Sequence, residues 1–91
     1  MPKFIIERSL APDTVLSESD LRATSLKSLD VLRAMGAEIH WIQSFVTDDK
    51  IYCIFYAADE SLIREHAQRG GFRLDRVAAV RQLLDPVNFQ P

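Results

Sequence analysis

Two short runs, AEIHWIQSFVT (37–47) and KIYCIFYAA (50–58), stand on either side of Asp48 and Asp49. Both are dense in β-branched and aromatic residues, and the polar break between them is too short for anything but an antiparallel hairpin. Whatever else this chain does, it must build a sheet around that hairpin. A two-residue turn at Asp48 and Asp49 sets Phe45 opposite Tyr52. Trp41, Gln43, Phe45, Tyr52, Ile54 and Tyr56 then share one face, and His40, Ile42, Ser44, Ile51, Cys53 and Phe55 share the other. Neither set is mainly charged, as a solvated face would be, so both faces ask to be covered.

The flanking sequence supplies what covers one of them. KFIIERS (3–9) predicts a first strand closed off by Pro12. Ser17 followed by Asp20 reads as a capping box in which Asp stands for the usual Glu or Gln. Leu21, Ser25, Ser28, Leu29, Leu32 and Met35 then recur at helical spacing up to Gly36, which predicts a helix over 18–35. Asp59 can cap a second helix over 60–69 that stops at Gly70. The segment LDRVAAVRQLLDP predicts a helical turn near Asp75 and a last strand over 80–85. The order β-α-β-β-α-β defines an α+β, ferredoxin-like domain over 1–91, with two helices on one face of a four-stranded antiparallel sheet. A chain of 91 residues has a high ratio of surface to volume. Covering the remaining face with a second copy, as a dimeric α/β barrel, makes a homodimer the expected assembly.

Charge and composition exclude several classes of function. A formal net charge of −2 leaves nothing to neutralise a run of phosphates, so nucleic acid is not an expected partner. No apolar run approaches the roughly 20 residues of a membrane helix, and Glu7 interrupts the stretch where an export signal would continue. A cytoplasmic location without membrane attachment is the expectation, and the lone Cys53 agrees with a reducing compartment. The chain holds no nucleophile motif, phosphate-cradling glycine loop or cofactor fingerprint, and RGGF (69–72) is explained by the end of the second helix. No catalytic residues are assigned.

The two histidines, His40 and His66, carry what functional signal there is. On the second helix His66 falls on the stripe of Leu62, Ile63 and Ala67 that faces the sheet, whereas Arg64, Glu65 and Gln68 point elsewhere. One reading is a core-edge histidine bonded to a backbone carbonyl or a carboxylate. The other joins it to a polar pocket beneath the second helix. Glu7, flanked by Ile6 on the first strand, must reach solvent or find a partner such as Arg8 or Arg81.

The phrases PKFIIER, DVLRAMGAEIHWIQSFVTDDKIYCIFYAADESLIREHAQRGGF and VRQLLDP resemble a family of small actinomycete-type proteins, long catalogued as a domain of unknown function and associated with nickel binding. The resemblance covers almost the whole chain. It implies a ferredoxin-like dimeric α/β barrel that binds nickel, or a related divalent metal, in homeostasis, sensing or storage. It also implies that histidine holds part of the metal shell. His66, within the REHA pattern, is the first residue it points to, and His40 the second. Nickel suits imidazole nitrogen completed by oxygen ligands, and Glu7 or Glu38 could supply those, in one chain or across two. Cys53 is explained as a small strand hydrophobe. The alternative is a small cofactor-free enzyme, of monooxygenase or isomerase type, or a small-molecule binder. It would use a pocket between the second helix and the sheet, with His66, Tyr52 and Glu7 as base, orienting hydroxyl and acid.

Overall fold

The computed structural model describes residues 1–89. Its elements are β1 (Lys3–Ser9), α1 (Glu18–Met35), β2 (Ile39–Val46), β3 (Lys50–Ala57), α2 (Glu60–Gly70), β4 (Arg76–Ala79) and a terminal 3₁₀ turn, Pro86–Phe89. The strands form one antiparallel sheet in the order β2-β3-β1-β4, as the β-α-β-β-α-β succession requires.

Local chemistry sets the helix ends. Ser17 Oγ accepts the Asp20 amide at 3.1 Å while the Asp20 carboxylate accepts the Ser17 amide at 3.1 Å, a reciprocal capping box. That bonding holds the Asp20 carboxyl below the ordinary carboxylate range. Asp59 caps α2 through the Ser61 amide at 2.8 Å. The left-handed residue that ends α2 is Gly71, at φ 67°, one position beyond the expected stop. Gly70 serves packing instead: a β-carbon there would fall inside the Phe72 ring.

Phe4, Ile6 and Arg8 of β1 alternate onto the same face as Cys53, Phe55 and Ala57 of β3. With Ile39, Leu32 of α1 and Ile63 of α2 the apolar members make up the core. The opposite face carries Ile5, Glu7, Tyr52, Ile54, Tyr56 and Phe45, and among the described residues no helix covers it.

Two expectations are corrected. The hairpin register is as expected at Phe45 opposite Tyr52, but a bulge at Ile42 shifts the register between Trp41 and Gln43. One extra residue reverses every side chain beyond it. Trp41, opposite Phe55, therefore joins the helix-covered face, and His40, opposite Tyr56, joins the open one. The last strand also lies earlier than expected, at Arg76–Ala79, and no helical turn forms at Asp75. Phe72 is anchored against α2 by its amide bonding the Ala67 carbonyl, so only Arg73 and Leu74 separate it from the β1 edge. Asp75 is thus the first residue to reach that edge, where its amide donates to the Glu7 carbonyl and its carboxylate accepts the Ser9 amide. Leu83 and Leu84 of the expected strand are exposed.

Candidate functional site

The three sequence candidates do not meet. His66 is driven inward by the apolar stripe of α2 and is only 1% exposed. Its ring lies between Phe55, at 5.3 Å between centroids, and Phe72, at 5.2 Å. Its Nε2 shares a hydrogen bond of 3.0 Å with Ser28 Oγ of α1. Burial, and secondarily the positive charge of Arg8, push its pKa down to about 4, so the ring is neutral at physiological pH. His66 ties the two helices to the sheet.

His40 is exposed on the open face, in the row of Tyr56 and Lys3. Glu7 is half-buried on that same face, in the row of Tyr52 and Phe45, and its neighbour on β4 is Arg76, not Arg8 or Arg81. Strand and residue spacings put His40 and Glu7 about 17 Å apart, too far to share an ion. Among the described residues no three His, Cys, Asp or Glu side chains come together in a way that could hold a metal. The described residues of one chain therefore form no nickel site of three such ligands.

The pocket expected beneath α2 is also replaced by one elsewhere. Phe55, His66 and Phe72 fill the space beneath α2. A cleft of about 210 Å³ opens instead under the first half of α1. It exists because Thr24, Ser25 and Ser28 occupy the sheet-facing stripe of α1, where larger apolar residues would reach the sheet. The floor is Trp41, Ser44, Val46, Ile51, Cys53 and Phe55. Trp41 Nε1 donates to Ser44 Oγ at 2.9 Å, and Ser44 Oγ donates to Cys53 Sγ at 3.0 Å, a chain of contacts possible only because the bulge put Trp41 and Ser44 on one face.

Arg8 is the residue in this cleft that the sequence reading missed. It is 9% exposed, its Nε has no hydrogen-bond partner, and none of the ion pairs among the described residues includes it. Its guanidinium carbon lies 4.9 Å from the centre of the Phe72 ring, over which Lys27 Nζ also sits at 5.6 Å. The signal was present: Arg8 follows Phe4 and Ile6 at a spacing of two, which on a strand places it with them.

These features define an α+β protein of the ferredoxin-like class. Its fold matches that of a structure reported as the crystal structure analysis of SCO4226 from Streptomyces coelicolor A3(2), with a TM-score of 0.76, covering 90% of this chain and 99% of that one at 15% identity. No curated protein matches the chain. Residues 4–80 match the family model described as nickel responsive protein SCO4226-like, and the chain belongs to that family.

Proposed function

We propose that this chain is a nickel-binding protein that takes the metal at His40, on the open face of the sheet, with a second copy completing the shell. The observation that carries this reading is the contrast in access between the two imidazoles. Nickel needs a neutral nitrogen with a lone pair facing an approachable space. His66 is enclosed between two rings and bonded to Ser28, whereas His40 is exposed. The family's nickel responsiveness supports a metal role in general.

A second copy follows from the same face. Ile5 and Phe45 are exposed large apolar residues of this face, and Tyr52, Ile54 and Tyr56 lie beside them. A patch of that kind on a small domain is best covered by its own two-fold copy. Two chains would bring two copies of His40, with carboxylates such as Glu38 two residues before each, to one interface. Whether the metal is sensed, stored or delivered depends on what the dimer does next.

Calorimetric titration with nickel at neutral pH, on the parent, His40→Ala and His66→Gln, tests this, with the oligomeric state measured alongside. His40→Ala is expected to weaken binding by about tenfold or more and His66→Gln to leave it unchanged. Loss of binding in His66→Gln with an intact fold, or no nickel binding by the parent, would overturn the assignment.

A further inference from the structure

We infer that the cleft beneath α1 is a binding site for a small monocarboxylic acid with an apolar body, whose carboxylate is held by Arg8. A guanidinium is always charged, and burying it without a carboxylate or a full set of acceptors is strongly unfavourable. Arg8 is nine-tenths buried with an unpartnered Nε, and neither Lys27 nor His66 neutralises it. Lys27 is a second cation over the same Phe72 ring, and His66 stays neutral partly because Arg8 is there. The Phe72 face offsets part of the cost through its quadrupole, but it supplies no hydrogen-bond acceptor.

Arg8 stands beside a ready-made space. Arg8 lines the cleft of about 210 Å³, enough for a small organic acid. The carboxylate follows from the planar fork of the guanidinium, which matches a carboxylate with two parallel bonds. The apolar body follows from the walls, whose surface is mainly apolar, with Leu21, Trp41, Val46, Ile51 and Phe55 among the residues that line it. The hydroxyls around them are largely committed already. Ser25 donates to the Leu21 carbonyl, Ser28 bonds His66 and Ser44 bridges Trp41 to Cys53. An inorganic phosphate would therefore find one cation and few free donors, and would leave the apolar walls wet. An aryl or branched-alkyl carboxylate uses both.

This site shares no residue with the proposed nickel position at His40, so each can fail alone. The test is titration of the metal-free protein with 3-phenylpropionate, its neutral counterpart 3-phenylpropionamide, and inorganic phosphate, by calorimetry and by the intrinsic fluorescence of Trp41. The acid is expected to bind at sub-millimolar concentration and to change the Trp41 emission, and the amide and phosphate to bind about tenfold more weakly or not at all. Arg8→Gln should weaken the acid by about ten- to a hundredfold. Should that variant not fold, Ser25→Leu, which fills the cleft from α1 and leaves Arg8 in place, should abolish binding while the chain stays folded. Equal binding of acid and amide, tighter binding of phosphate, binding unaffected by Ser25→Leu, or no binding of the acid up to about 10 mM would each overturn the proposal.

Discussion

The two faces of the sheet treat the same residue type in opposite ways. On the helix-covered face His66 is buried, neutral and bonded to Ser28, so its chemistry is spent on holding α1, α2 and β3 together. On the open face His40 is exposed to solvent. A histidine's role is set by the side of the strand or helix it falls on, and on β2 that side was decided by a single extra residue at Ile42.

The contrast can be broken most severely by deleting packing on each side. Phe55→Ala, at a residue 1% exposed, should lower stability by about 4 kcal/mol. Phe45→Ala, at a residue 53% exposed, should cost a single chain less than about 1 kcal/mol and act mainly on self-association. Denaturant unfolding at several protein concentrations separates the two. Equal losses for both variants at all concentrations would mean that the faces are not energetically distinct.

Acid sharpens the comparison next. The pKa of His66 lies near 4 in the folded chain against an ordinary 6.5, so the unfolded chain binds the extra proton in between. Stability from this group is fully present above pH 6.5 and is lost as the pH falls toward 4, by about 3 kcal/mol in all. The carboxyls of Asp20, Asp59 and Asp75 are held below their usual value of 3.8 and act only under more acid conditions. Thermal unfolding of the parent should therefore weaken between pH 6.5 and 4, and His66→Gln should lack most of that slope. A slope unchanged in the variant would place its source elsewhere.

A smaller effect comes from Gly70→Ala, which leaves both histidines in place. The added methyl would enter the Phe72 ring and displace it from His66. A loss of about 2 kcal/mol is expected, with His66 becoming easier to protonate as its enclosure opens. Denaturant unfolding gives the first quantity and the imidazole NMR titration the second. An unchanged His66 titration would mean that Phe72 contributes little to the enclosure.

Much of this architecture was legible in the residues. The caps at Ser17 and Asp59, the hairpin pairing of Phe45 with Tyr52 and the inward face of α2 all rest on local rules, and local rules survive folding. Three features escaped because they depend on distant partners. The bulge at Ile42 carries no glycine or proline to announce it, so Trp41 and His40 were assigned to each other's faces. The position of β4 was decided by the short link from Phe72 to the β1 edge, while VRQLLDP looked equally strand-like. Arg8 alternates with Phe4 and Ile6 and so follows the strand period inward, but the Phe72 ring and the cleft left by Thr24, Ser25 and Ser28, which take it in, lie far off in the sequence.

The difference in access between His40 and His66 is most directly measured by diethylpyrocarbonate labelling of the native protein, with and without nickel, read peptide by peptide by mass spectrometry. His40 should label readily and be protected by nickel, while His66 should stay unlabelled until the chain is unfolded. Labelling of native His66 that nickel suppresses, with His40 indifferent to the metal, would contradict the account.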